Sequence, residues 1–302
     1  MASDIIASTT LNPAHALEYS RRRFRLRGMI LPSILLTVVI VLIAAAILAP
    51  YISPSDPQQQ DLVHRLTPPA WLNKGSWDHP LGTDSLGRDI LSRIIYGSRI
   101  TLLVIGVSIP CTAALGSLAG LLVGYYRGWF EFLVMRLADV QLALPAILFA
   151  VLLAAVFGPG LRNVIIIIVG WRWATYARVI RSEVLTLRER DYVLAAHAVG
   201  ASDFRILVRH LAPNLINTVI ILASLDIAVV VLIEASLSFL GVGVSPTTIS
   251  WGSMVAQGRG FVSVAWWLVT FPGLAILAIA LVGNLAGDWL RDRFDPRLKN
   301  LR

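Results

Sequence analysis

Residues 28 to 55 carry no charged side chain. A helix of about 20 apolar residues crosses the hydrocarbon core of a bilayer, and a run this long fits that role. In lipid each backbone amide must find its partner within the segment, so such runs fold as helices. Ile30 to Ala49 is the first predicted span, closed by Pro50. The second lies at 100–126 and the third at 140–161, after an amphipathic lead-in from Glu131 to Asp139. The fourth, near Asn163 to Ala177, contains Arg172; the fifth, from about Leu215 to Leu240, contains Asp226 and Glu234. The sixth falls between Arg259 and Asp288, with Trp266 and Trp267 at its start, as in an aromatic belt. Hydrophobic residues make up 56% of the chain, against roughly 45–50% in soluble domains, and mean hydropathy is +0.72. The expected fold is an all-α polytopic membrane protein with six transmembrane helices.

Charge orients these spans. With the N-terminus inside, segments 1–29, 125–140, 178–212 and 288–302 hold 18 Lys and Arg, and outer segments 52–99, 158–162 and 242–263 hold seven. Excess positive charge marks the cytoplasmic side, so both termini are expected there. Arg21, Arg22, Arg23, Arg25 and Arg27 precede an apolar run of full spanning length, unlike the short core of a cleaved signal peptide, and the segment is expected to be retained. The organisation is then a cytoplasmic segment (1–29), a first transmembrane helix with an ordered external loop (30–99), a transmembrane core (100–288) with a charged insert at 178–213, and a cytoplasmic tail (289–302).

Several chemistries are excluded. The two lysines, Lys74 and Lys299, do not follow glycine, so the chain has no phosphate-binding Gly-Lys-Ser/Thr loop; if ATP drives it, another polypeptide binds the ATP. No His-Glu-x-x-His or Gly-x-Ser-x-Gly occurs, and Asp226 with Glu234 lacks a matching nucleophile. The five histidines include no i,i+4 pair, so no metal site is expected. Cys111 is the sole cysteine, which rules out an internal disulfide.

Other features admit two readings. Gly116, Gly120 and Gly124 make a smooth helix face for either a subunit interface or packing within the chain. Ser85 to Arg99 has apolar residues at helical spacing and reads as an amphipathic helix at the interface. Asp226 and Glu234, costly at membrane depth, either face the substrate path or make hydrogen bonds between helices or near the outer surface. Arg172 either pairs with an acid of a partner subunit or snorkels to the cytoplasmic headgroups. Asp84, Arg88 and Asp89 either dock an external protein or pair with one another.

The insert carries the mechanism. Arg188, Glu189, Arg190 and Asp191 open a helix whose other side is small and apolar: Tyr192, Val193, Ala195, Ala196 and Val199. Gly200 is suited to end that helix at φ > 0. Ser202 is placed to cap the next helix and Asp203 to favour its positive end. Pro213 marks the turn into the fifth span. The product is a rigid knob with room at Ala195 and Ala196 for a partner to close in.

Ala195-Ala196, three residues, Gly200, nine residues and His210-Leu211-Ala212-Pro213 resemble the EAA loop of ABC-importer membrane subunits, with Leu194 at the motif's acidic position. Four further blocks look like the dipeptide/oligopeptide/nickel branch, and its second, C-type membrane subunit in particular. They are His79 to Arg93, Glu234 to Gly243 with Ser250-Trp251-Gly252, Phe271 to Ile276, and Gly287 to Asp292 with Asp295-Pro296-Arg297. The resemblance implies a type I ABC-importer transmembrane fold with a cytoplasmic coupling helix in a bacterial inner membrane. It implies ATPase coupling through Asp191, Tyr192, Leu194, Ala195, Ala196, His197, Gly200, Ala201, Ser202, Arg205 and Pro213. Partners would be a homologous second permease subunit, two ATP-binding-cassette ATPase subunits, an extracytoplasmic substrate-binding protein and the lipid bilayer, with no nucleic acid. ATP and Mg would sit on the ATPases, leaving this chain without cofactor or catalysis. The cargo it implies is di- or oligopeptide, with nickel, glutathione or antimicrobial peptides as alternatives; a stand-alone secondary transporter is the rival class.

Overall fold

The computed structural model describes residues 13–245 and 247–294; the tail beyond Phe294 lies outside the described residues. The chain divides after Val41. Residues up to Val41 contribute the first part of α1 (Pro13–Ile52), whose stretch from Ser33 to Ile52 is apolar and long enough to span. From Leu42 onward the chain forms the second unit.

In that unit α2 (Ile90–Tyr126) leads to a bent pair, α3 (Gly128–Ala143) and α4 (Ala146–Phe157), and then to α5 (Leu161–Leu187). The insert forms α6 (Asp191–Ala198) and α7 (Asp203–Ile206), followed by α8 (Ala212–Phe239), the short α9 (Trp251–Gly258) and α10 (Trp267–Phe294). Among the described residues the only β pairing is the isolated Thr83–Asp89 bridge. Among the described residues five helices are long and apolar enough to span, or six counting α3 with α4 as one broken span.

The predicted third span is not one straight helix. α3 and α4 meet at 101° across Leu144 and Pro145. A proline disfavours helical backbone in the residue before it, and Leu144 is extended at φ −84°, ψ 137°. The 12 residues of α4 reach about 18 Å, too short for the roughly 30 Å core. Likewise Ser85 to Arg99 is not a separate interfacial helix. Asp89 caps α2 by accepting from the Ser92 amide, and the helix continues unbroken through Pro110 to Tyr126.

The glycine stripe resolves to packing within the chain. A Cβ on Gly116 would lie 2.5 Å from the Trp173 carbonyl oxygen and 2.5 Å from Tyr176 Cβ. One on Gly120 would lie 2.5 Å from the Ala177 carbonyl oxygen, and one on Gly124 2.9 Å from Val184 Cβ. α2 therefore rests on the backbone of α5. Water is absent from the hydrocarbon core, so this contact draws on dispersion and close approach rather than the hydrophobic effect. Exposed apolar side chains such as Leu148 and Leu152 on α4, and Leu277 and Leu281 on α10, suit a lipid or protein environment.

Replacing Gly120 by leucine is expected to force α2 off α5 and cost about 1–3 kcal/mol or more. Gly106, in the same helix with nothing within 4 Å of its Cβ position, is expected to accept alanine without loss. Thermal stability of the detergent-purified variants checks both.

Candidate functional site

The insert folds as a hairpin of short helices at the ends of α2, α5 and α8. α6 ends in a glycine cap: Gly200 sits at φ +78°, its amide donates to the His197 carbonyl at 3.0 Å, and the Ala201 amide donates to the Ala196 carbonyl at 3.0 Å. The pair satisfies two orphan carbonyls at the helix end. Ser202 occupies the next cap position with extended backbone, but its side chain makes no cap bond. Asp203 follows in the first turn and accepts instead from the Tyr125 hydroxyl, at 2.7 Å.

Pro213 does not make the expected turn. The helix runs from Asp203 through to Phe239, with a π-helical turn at Leu207–Leu211 in which the Ala212 amide reaches back to the Leu207 carbonyl. Pro213 has no amide to donate, and the wider turn just before it shifts the hydrogen-bond register. The Asn214 side chain satisfies the His210 carbonyl at 2.6 Å. The second arm of the hairpin is thus a direct extension of α8.

The hairpin has two faces. Val193 and Ala196 are buried against Ile206, Leu207, Leu211 and Leu215, with Ile180 and Val184 of α5 and Tyr125 of α2 completing the cluster. On the other side Leu194, Val199 (85% exposed), Phe204 (75%) and Val208 stand free. Between the arms opens a cleft of about 510 Å³ lined by Tyr192, Ala195, Ala196, Val199, Ala201, Arg205, Arg209 and His210. Tyr125 fastens the hairpin to α2. Its ring stacks on His197 with centroids 6.2 Å apart, and Arg188 donates to its carbonyl at 3.0 Å. Sequence reasoning missed Tyr125, because nothing local to a tyrosine at a helix end names a partner 78 residues away.

The ionisable groups at membrane depth pair inside the chain. Arg172 forms an ion pair with Asp226, neither with a partner's acid nor at the headgroups. Its position on α5 faces α8, and Asp226 is 1% exposed against 14% for Arg172, so they brace two helices. Glu234, also 1% exposed, accepts from the Ser238 hydroxyl at 2.8 Å. Gln141, at the end of α3, donates to the Trp171 carbonyl and accepts from Trp173 Nε1 at 2.9 Å, which ties the broken span to α5.

The acids of the loop before α2 are also used internally. Asp84 accepts from Arg88 Nε at 2.7 Å and from the Leu86 and Arg88 amides at 2.8 and 3.0 Å. Asp89 accepts from the Ser92 amide at 2.7 Å and faces His79 Nδ1 at 3.2 Å. Arg88 and Arg93 both donate to Gln257 of α9 at 3.0 Å, which fixes the loop before α2 to that helix. Earlier in the same loop, the hydrogen bond from His64 holds the Asp61 carboxyl below its ordinary value. Among the described residues no group of three or more His, Cys, Asp or Glu is placed to hold a metal ion.

Residues 116–300 match the family described as binding-protein-dependent transport system inner membrane component. The chain belongs to this family. Residues 20–69 match the N-terminal transmembrane domain of oligopeptide transport permease C. A di/tripeptide transport system permease protein, DppC, of Pseudomonas aeruginosa (strain UCBPP-PA14) is 43% identical over 265 residues, 88% of each chain. The dipeptide transport system permease protein DppC of Escherichia coli (strain K12) is 42% identical over 264 residues, 87% of this chain and 88% of that one. A counterpart from Haemophilus influenzae is 40% identical over 267 residues, 88% of this chain and 90% of that one. The hairpin whose sequence resembles an EAA loop thus sits on a helical frame, with Leu194 exposed at the position that is acidic in that motif.

Removing one member of the buried Arg172–Asp226 pair strands the other. Asp226→Asn and Arg172→Met are each expected to cost about 3–5 kcal/mol, while the double replacement Arg172→Met with Asp226→Leu recovers most of it. Unfolding of the three variants in detergent checks the cycle; equal losses in the single and double variants would show that the pair is not the brace.

Proposed function

We propose that this permease subunit forms half of the translocation path for di- or oligopeptides and is driven by ATPase subunits that grip the 178–213 hairpin. The observation that carries the reading is the hairpin itself: a folded, apolar-faced cleft built into the ends of the spanning helices, with Val199 and Phe204 left exposed. Exposed side chains of that size beside a cleft mark a surface meant to be covered. The peptide cargo rests on the names of the relatives, each of which is a peptide or dipeptide permease.

The hairpin is suited to transmit a push. Its second arm continues α8, its first arm hangs from α5, and Tyr125 of α2 holds both, through His197 of the first and Asp203 of the second. A displacement at Ala195 and Ala196 therefore moves three spanning helices together. ATP binding on partner subunits would bias the permease between inward-open and outward-open states by favouring one hairpin position, a population shift driven from a distant site. Peptide would arrive from an extracytoplasmic binding protein, and a homologous second permease would supply the other half of the path. The positive-inside count favours both termini and the hairpin in the cytoplasm of a bacterial inner membrane. ATP and Mg belong to the ATPases.

The residues of the site take named parts. Gly200 sets the bend; Ala195 and Ala196 keep the cleft open; Tyr192 and Arg205 line its sides. His197 and Asp203 hold the hairpin to Tyr125. Asp226 and Glu234 are held within the chain, and a role on the path would require α8 to move relative to α5. Asp84, Arg88 and Asp89 serve docking indirectly, by bracing the loop that an external protein would meet.

Ala195→Trp fills the cleft, and Gly200→Pro cannot hold φ +78°. Each is expected to lower peptide-stimulated ATP hydrolysis of the reconstituted transporter about tenfold or more, equivalent to ~1.4 kcal/mol of lost docking, without loss of membrane insertion. Full peptide-stimulated hydrolysis in the Ala195→Trp transporter would remove the proposed coupling role.

A further inference from the structure

The hairpin cleft has a charge as well as a shape. Arg205 and Arg209 line one wall, and among the described residues neither has an ion pair or a hydrogen bond to a carboxylate. The cleft lining contains no acid. The acids nearby are engaged or turned away. Asp203 accepts from Tyr125, Glu189 pairs with Arg127 at 3.4 Å, and Asp191 is exposed at the start of α6 outside the lining. At the motif's acidic position the chain carries an exposed leucine, Leu194, so that position supplies no negative charge to offset the two guanidinium groups.

Depth argues for a protein occupant. α5 has 27 residues and is about 40 Å long, some 10 Å more than the hydrocarbon core, and the hairpin begins beyond its end. Val199 and Phe204 stand exposed around the basic wall. Apolar knobs beside unpaired guanidinium groups suit a protein groove that offers apolar contact and carboxylates together, since guanidinium matches carboxylate in a bidentate fork.

We propose that the ATPase surface seated on this hairpin is acidic where it meets Arg205 and Arg209, and that these two arginines supply the ion pairs of the coupling joint. The inference rests on the docking role proposed above and adds the chemistry of the partner. Its polarity is permease-basic and partner-acidic. Because the pairs lie at a solvent-facing rim, they set encounter rate and salt dependence as well as affinity.

The test uses the transporter assembled in nanodiscs from both permeases, with the ATPase subunits titrated at low and high salt. Wild-type affinity is expected to fall as salt rises. Arg205→Glu with Arg209→Glu is expected to weaken ATPase binding about tenfold or more, and Arg205→Gln with Arg209→Gln to flatten the salt dependence. Near-normal binding and unchanged salt dependence in these variants, with binding still abolished by Ala195→Trp, would overturn the acidic partner and leave the docking role intact. Unimpaired binding in Ala195→Trp as well would overturn the docking role itself. Loss confined to nanodiscs containing phosphatidylglycerol and absent from phosphatidylcholine would assign the arginines to lipid headgroups and overturn the proposal.

Discussion

The close approach of α2 to α5 is the contact on which the rest depends. Gly116, Gly120 and Gly124 let α2 lie directly on the Trp173 and Ala177 carbonyls, with no room for even a methyl group between. In lipid, helices gain nothing by hiding apolar surface from water, so shape complementarity of this kind decides which helices pair. The contact also fixes where the helix ends fall. Tyr125 at the end of α2 arrives beside His197 and Asp203 of the hairpin, and Arg188 beyond α5 reaches the Tyr125 carbonyl.

Several acids of the frame are paired within the chain. In the loop before α2, Asp84 and Asp89 are consumed by loop amides, Arg88 and Ser92. At membrane depth Asp226 is consumed by Arg172 and Glu234 by Ser238. Toward the hairpin the acids of α3 hold arginines of α5, Asp139 with Arg178 and Glu131 with Arg181. In the hairpin cleft, Arg205 and Arg209 have no acidic partner among the described residues. Beside the exposed Val199 and Phe204, these two guanidinium groups are suited to pairing with another molecule.

Much of this was legible in the sequence, and the exceptions have physical causes. Apolar runs named the spans because a bilayer reads composition over 20 residues at a time. The hairpin was legible because Gly200 is a local signal for a positive φ. The break at Leu144 was hidden, since Pro145 lies in an unbroken apolar run and hydropathy is blind to a missing amide. Pro213 misled in the opposite direction: a proline that normally marks a boundary is absorbed by a π-helical turn. Arg172 with Asp226, and Tyr125 with Asp203, were out of reach because each pair is set by how helices pack, 54 and 78 residues apart in sequence.

The most direct test is the side and the cover of the hairpin. With Cys111 replaced by serine, a single cysteine at Val199 is labelled with a membrane-impermeant maleimide. Labelling is expected in inside-out vesicles stripped of ATPase, with none in right-side-out vesicles, and added ATPase subunits are expected to block it. Labelling from the outer face, or labelling that the ATPase leaves unchanged, would contradict a cytoplasmic hairpin gripped by an ATP-driven partner.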